Sequence, residues 1–313
     1  MIAAHKLDHL IEQLPSVRGA LKADANIARL TWFGVGGNAE VMFEPADQED
    51  LQLFLNALPE NINITVLGGG SNLIIRDGGI PGVTIRLGRA FSNIVSNDFI
   101  VTALAGAMNI TVARKARDNQ IGGLEFLSGI PGSVGGAVRM NAGAYQTEIQ
   151  EVLIGVTALD RHGHFHKVSA AELGFSYRHC DGPNDWIFLS AQLQGRQEQS
   201  EVIITHMREI AEARQISQPI RKRTGGSTFK NPEGHKAWQL IDAAGCRGLQ
   251  RGGAQVSNTH CNFLINNGTA TAADIEGLGE EVKRRVLDNT GVQLEWEIQR
   301  IGIAVAAFSR QVR

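Results

Sequence analysis

Two glycine-rich stretches constrain this chain more than any other feature. The longer runs Glu125-Phe126-Leu127-Ser128-Gly129-Ile130-Pro131-Gly132-Ser133-Val134-Gly135-Gly136-Ala137-Val138-Arg139-Met140-Asn141-Ala142-Gly143-Ala144-Tyr145. Its glycines, single proline and small side chains leave main-chain N–H groups uncovered, and glycine lets them converge where a Cβ would block a ligand. The shorter, Val66-Leu67-Gly68-Gly69-Gly70-Ser71-Asn72-Leu73-Ile74-Ile75, sets three glycines and a small polar pair between two apolar runs, which reads strand, anion loop, strand. Either stretch alone also fits a tight turn in a chain with 36 glycines. Together they favour a polyanion of dinucleotide size.

At 313 residues, against a prior of about 150 per domain, the chain should hold two domains or a split pair. Lys+Arg 30 against Asp+Glu 32 gives a formal charge of −2, with basic residues scattered apart from Arg221-Lys222-Arg223, so nucleic acid is not the expected partner. Cys180, Cys246 and Cys261 are far apart and outside any Cys-x-x-Cys pair, which indicates neither a disulfide framework nor a zinc site and fits a reducing cytoplasm. The segment Met1 to His9 lacks the apolar core of a signal peptide, and no run approaches the ~20 residues of a membrane span. A protein that is neither exported nor membrane-embedded is expected.

Along the chain, Leu7, Leu10, Ile11 and Leu14 predict an amphipathic helix closed by Pro15. Gly34-x-Gly36-x-x-Ala39 formally satisfies a dinucleotide fingerprint, but Glu40 to Pro45 alternates like a strand where the fingerprint needs a helix. Asp47 to Leu58 reads as a capped helix, 62–67, 73–76 and 83–87 as strands, and 109–119 as a helix. Short strands then dominate 152–195, with His162, His164 and His166 on alternate positions beside a turn and no acidic ligand evident nearby, so no metal is expected. A helix over 201–217 ends at Pro219. Beyond it come the loop Arg221 to Pro232, a helix from Ala237 to Ala244, strands at 256 and 262–266, a helix capped by Thr271 and Asp274, and a strand over 292–298 with one acidic face.

Taken together, these motifs resemble the UDP-N-acetylenolpyruvoylglucosamine reductases, in their shorter form. The resemblance covers nearly the whole chain: Thr31-x-Phe33-x-Val35-Gly36-Gly37, Gly68-Gly69-Gly70-Ser71-Asn72, Leu127 to Ala137, Asn141-Ala142-Gly143-Ala144-Tyr145, Tyr177-Arg178, Gly226-Ser227-x-Phe229-Lys230-Asn231-Pro232, Gly252 to Ser257 and Leu294-Glu295-x-Glu297. It implies an α+β chain, with a two-lobed FAD-binding region of the vanillyl-alcohol-oxidase/p-cresol-methylhydroxylase type and then an α+β substrate domain. The expected divisions are 1–65 and 66–213 for the two lobes, 214–298 for the substrate domain and 299–313 for a tail. It further implies non-covalent FAD, since neither loop holds a Cys or His, and NADPH as reductant of an enolpyruvyl ether on a UDP-sugar.

By motif position, Gly68, Gly69, Gly70, Ser71, Asn72 and Leu73, with Ser128, Gly129, Ile130, Pro131, Gly132, Ser133, Gly135, Gly136 and Ala137, correspond to the FAD-binding set. Ser227 corresponds to the general acid, Arg178 and Glu297 to the pair on the substrate carboxylate, and Asn231 to a substrate contact. Arg214 and the 221–223 cluster are candidates for the substrate diphosphate by chemistry alone. The chain departs from the family at Gln299, where a basic residue is usual and Arg300 adjoins, and at Cys180, where serine is common. A monomer is slightly favoured. Two other readings fit the same loops: an oxygen-using sugar or alcohol oxidase on this scaffold, and a UDP-sugar binding module without catalysis.

Overall fold

A computed structural model of the chain describes residues 10–219 and 221–305. The first sheet has strand order β1 (Ala20–Ala25), β2 (Ala39–Glu44), β5 (Ile80–Arg86), β3 (Ile64–Leu67), antiparallel between β1 and β2 and parallel for the rest. Between β2 and β3 runs α1 (Gln48–Ala57); Asp47 Oδ1 accepts from Asp50 N at 2.9 Å, and Leu51, Phe54 and Leu55 are buried. The strand at Ala39–Glu44 follows the Gly34-x-Gly36 turn directly, so no dinucleotide helix starts there. Of the expected first helix, Leu7 lies outside the described residues; Leu10 and Leu14 pack on the core of this sheet.

β3 spans the boundary expected at 65/66, and the sheet runs on to Arg86, because β5 pairs between β2 and β3. The second sheet is wholly antiparallel: β6 (Ile94–Asn97), β7 (Ile100–Leu104), β10 (Ile187–Gln194), β8 (Leu153–Leu159) and β9 (Phe165–Ser169), listed from one edge to the other. Its core takes in α2 (Asn109–Asp118) and much of the long glycine stretch. That stretch is less of a loop than its composition suggests: Glu125–Gly129 is a 3₁₀ turn and Val134–Arg139 forms α3. A helix α4 (Ser200–Ser217) follows the second sheet.

The third unit packs α5 (Ala237–Ala243) and α6 (Ala272–Thr290) on a small sheet that includes Ala254–Val256 and Leu264–Asn266. It is bound firmly to the first sheet. Phe33, Val35 and Ile74 enter its core, and Asn266 Nδ2 donates to Phe33 O at 2.8 Å. Asp77 caps α6 from 195 residues away in sequence, its two oxygens accepting from Ala272 N and Ala273 N at 2.9 Å each. The expected strand over 292–298 is not a ladder strand; it makes only the isolated bridge Trp296 to Phe229. Pairing begins instead at Gln299–Ile301, which lies parallel to β4 (Leu73–Ile75), so this part of the expected tail belongs to the fold.

Candidate active site

The two glycine stretches meet. Gly69 N donates to Ser133 Oγ at 3.2 Å and Ser71 Oγ donates to Pro131 O at 3.2 Å, joining loops 64 and 60 residues apart in sequence. A Cβ on Gly69 would stand 2.7 Å from Gly132 Cα, so glycine is required there by loop-to-loop packing rather than by ligand approach. Gly136 is different: it is exposed, and its Cβ would meet nothing nearer than Ser133 Oγ at 3.8 Å. Among the described residues, the N–H groups of Gly70, Ser71, Gly132 and Ser133 have no protein acceptor. The junction is thus a concave row of free donors, fit for a diphosphate.

The same junction floors a cleft of about 760 Å³, within the range of roughly 300–1,000 Å³ for ligand sites. Every expected cofactor residue lines it except Ser128, which sits in the 3₁₀ turn with a buried, unpartnered hydroxyl. Ser227, Arg178, Glu297 and Arg214 also line it. Asn231 does not: its Oδ1 accepts from Ala237 N at 3.0 Å and caps α5, which commits the side chain away from the cleft.

Arg178 and Glu297, 119 residues apart, meet at 3.2 Å between Nε and Oε1. Arg178 stands in a reverse turn closed by the reciprocal Ser176 and His179 backbone bonds, with φ of 56°, a left-handed conformation that costs a non-glycine residue about 1 kcal/mol. Its guanidinium is held further by Glu148 Oε1 at 3.1 Å and Gly143 O at 3.2 Å, and stacks over the Tyr177 ring. Burial pushes the Glu297 carboxyl above its ordinary range; Arg178 and, more weakly, Lys230 pull the other way without cancelling it. Glu295, by contrast, is an exposed residue whose partner is Lys230 at 3.8 Å. The two glutamates flank Trp296 in its bridge to Phe229 and differ in side-chain exposure, Glu295 standing 76% exposed and Glu297 18%.

Glu297 is fixed by the first glycine loop itself. Asn72 Nδ2 donates to Glu297 O at 3.1 Å, and Asn72 O accepts from Gln299 N at 3.0 Å, so one residue ties the expected cofactor loop to the expected catalytic carboxyl. Gln299 faces the cleft, whereas Arg300 turns outward to Glu280 at 3.0 Å and the Trp296 ring at 4.6 Å. The missing cation is therefore not supplied by Arg300.

Arg214 is drawn out of water, which lowers its affinity for its proton, and its one side-chain hydrogen bond among the described residues is to Gln218 Oε1 at 3.3 Å. Among the described residues no carboxylate pairs with it, so its charge is left to face the cleft. Sequence reasoning missed Arg139, which also lines the cleft, donates to Gly182 O and Trp186 O and lies over Phe188. It also missed Glu148 and the role of Asn141, both inside or beside a quoted motif whose spacing gave no hint of their partners.

An acid does stand beside the histidine triplet: Asp160 Oδ2 lies 3.2 Å from His164 Nδ1 and 2.9 Å from His166 Nε2.

Most of the two sheets, their glycine junction and most of the cleft floor belong to a segment of FAD-binding type. Residues 39–169 match the FAD binding domain family, and residues 218–301 match the C-terminal domain of UDP-N-acetylenolpyruvoylglucosamine reductase. The chain is 57% identical over 303 residues to the reductase of that name from Parvibaculum lavamentivorans, covering 97% of this chain and 98% of that protein. The reductase of Rhodospirillum rubrum is 53% identical, with 99% and 98% covered. The crystal structure of the enzyme from Thermus caldophilus superposes with a TM-score of 0.78 at 34% identity, covering 91% of this chain and 99% of that one. The chain belongs to the UDP-N-acetylenolpyruvoylglucosamine reductase family.

Proposed function

We propose that this cleft reduces the enolpyruvyl group of a UDP-sugar through three side chains: Arg178 and Glu297 on the substrate carboxylate and Ser227 as the acid. The chain is an oxidoreductase of peptidoglycan precursor synthesis that converts UDP-N-acetylglucosamine enolpyruvate to UDP-N-acetylmuramate, with FAD as cofactor and NADPH as reductant. Residues 68–73, 129–133 and 135–137 would hold FAD non-covalently, and the bound flavin would supply two-electron hydride chemistry between NADPH and the enolpyruvyl group. The chain's own task is to manage the charge that follows.

Arg178 presents a planar, permanently charged fork to the substrate carboxylate, where negative charge grows as C3 is reduced. Glu297, whose affinity for a proton is raised by burial, is assigned as the hydrogen-bond donor to the same group in its protonated form. Ser227 gives its proton to C2. Arg214 is the cation assigned to the diphosphate, and Asn231 acts through the helix it caps. We place the lobes at the two sheets, 20–86 and 94–194, and the substrate domain from 218 to 301, completed by β4. A monomer working in the cytoplasm, where NADPH and nucleotide-activated sugars are made, completes the reading; nucleic acid and membrane play no part in it.

The observation that carries this is the meeting of Arg178 and Glu297 at 3.2 Å in one cleft with Ser227 and both glycine loops. The test is a visible spectrum of the purified protein. A yellow protein should bleach with NADPH and recolour without oxygen when the enolpyruvyl substrate is added. Recolouring only in oxygen, with peroxide released, would assign the scaffold to an oxidase, and a colourless protein that still binds the UDP-sugar would make it a binding module.

A further inference from the structure

One guanidinium in the cleft faces two carboxylates. Arg178 Nε donates to Glu297 Oε1 at 3.2 Å and its Nη1 to Glu148 Oε1 at 3.1 Å, with all three side chains less than a quarter exposed. If both carboxylates were ionised, the trio would carry a net negative charge out of bulk water. Glu297 is the one of the two whose burial raises its affinity for a proton.

The hydrogen bonds set the two carboxyl groups apart. Glu148 receives donors on both oxygens: Arg178 on Oε1, and Asn141 Nδ2 at 2.8 Å and Gln150 Nε2 at 3.0 Å on Oε2. Together these hold the side chain in place against Arg178. Glu297 receives one side-chain donor among the described residues, Arg178 Nε, and burial raises its affinity for a proton. The remaining charges near this set are Lys230, which acts weakly on Glu297, and Glu151, whose carboxylate accepts from Glu148 N. The Asn141 and Glu148 pair also fixes the turn that presents Arg178, since Asn141 Nδ2 donates to Ser176 O at 3.0 Å.

We infer that Glu148 is a positioning residue for this reaction: it claims part of the Arg178 charge, and so leaves Glu297 as the carboxyl that carries a proton into the cleft. This rests on the reading of Arg178 and Glu297 given above. Glu148 itself is not asked to touch the substrate. Its effect passes through the guanidinium, both by geometry and by charge.

The experiment follows substrate-driven reoxidation of the NADPH-reduced enzyme against pH in the parent, Glu148→Gln, Glu148→Asp and Glu297→Gln. Infrared difference spectra record the protonated-carboxyl band over the same range, as a readout apart from turnover. In the parent, reoxidation should slow on the alkaline side as Glu297 loses its proton. Glu148→Gln removes a negative charge from beside the pair, so both that slowing and the disappearance of the carboxyl band should move to lower pH by about one unit or more. Glu148→Asp keeps the charge with a shorter reach and should fall between the two, which covers a Gln variant that does not fold. A uniform loss of rate at all pH values, with neither limb nor band displaced, would overturn the inference and leave Glu148 a purely structural group. An alkaline limb that survives unchanged in Glu297→Gln would instead overturn the role of Glu297, and with it the premise.

Discussion

Gly136→Ala separates the two reasons a glycine can be needed in these loops. Gly136 lies inside α3, and an added Cβ meets only Ser133 Oγ, at 3.8 Å, with the cleft beyond it. In the protein without flavin the substitution should therefore stabilise, by the roughly 0.8–1 kcal/mol that separates Ala from Gly in a helix interior. For a chain of this size that is an increase of about 2 °C in Tm. The same methyl stands over the donor row where the diphosphate is expected, so FAD affinity should fall at least about tenfold, a loss of about 1.4 kcal/mol. At saturating FAD the loss exceeds the gain by about 0.5 kcal/mol or more, and Tm should fall about 1 °C or more below the parent value. Gly69→Ala is the contrast, since its Cβ would press to 2.7 Å from Gly132 Cα and should lower Tm with and without FAD. Thermal denaturation of both forms, with flavin-fluorescence titration, reads every term. A fall in the flavin-free Tm of Gly136→Ala would show that the space is not open. Unchanged FAD affinity would show that the cofactor does not cross this helix.

Ser227→Ala should bleach with NADPH at near the parent rate, while reoxidation by substrate slows at least about a hundredfold in stopped-flow absorbance, because only that half-reaction needs a proton at C2. Glu297→Gln should cost at least about a hundredfold in turnover. Glu295→Gln, at an exposed residue whose side-chain partner is the half-buried Lys230 at 3.8 Å, should stay within about twofold, and the reverse ranking would refute the assignment. Acid precipitation should release all the flavin as FAD into the supernatant; flavin retained by the pellet would defeat non-covalent binding. At Asp160 burial pushes the carboxyl up, but hydrogen bonds from His166, from His164 N and His162 N, and from the His164 ring outweigh it and hold the group well below the usual carboxylate range. Its contribution to stability is thus present above the ordinary value and lost as pH falls through the folded one. The gap in Tm between the parent and Asp160→Asn should accordingly narrow as pH drops below about 4.

What the sequence made legible was local. The cap at Asp47 and Asp50, the box at Thr271 and Asp274 and the strand after Gly34-x-Gly36 all depend on residues within a few positions of one another, and each appears where its spacing places it. The ties that build the site are of another kind. Asn72 reaches Glu297 across 225 residues, Asp77 caps α6 across 195, and Glu148 reaches Arg178 across 30. No period encodes such pairs, because a two-residue alternation fixes which face a side chain takes and says nothing of which strand lies beside it. The glycines carry the same lesson. Composition marked them as ligand-facing, yet Gly69 is held by Gly132 and Gly70 by the Leu30 carbonyl, which a Cβ would overlap.

That packing bears on how the enzyme keeps its parts in register. Asn72 belongs to the proposed cofactor loop by position and binds the backbone of Glu297, the proposed catalytic residue, and β4 continues from it to pair with the strand that follows Glu297. Any displacement of the 68–72 loop is therefore passed to Glu297 through two hydrogen bonds and a parallel ladder, with no flexible segment between. The oxygen that accepts from Asn72 is a backbone one, so the tie sets where Glu297 stands without competing for its carboxyl group. The carboxyl is left to Arg178, which Glu148 and Gly143 O hold from the opposite side of the cleft. The fold thus fixes Glu297 from the first glycine loop and Arg178 from the turns around Gly143 and Ser176, and the two side chains meet at 3.2 Å in the cleft that the joined glycine loops floor.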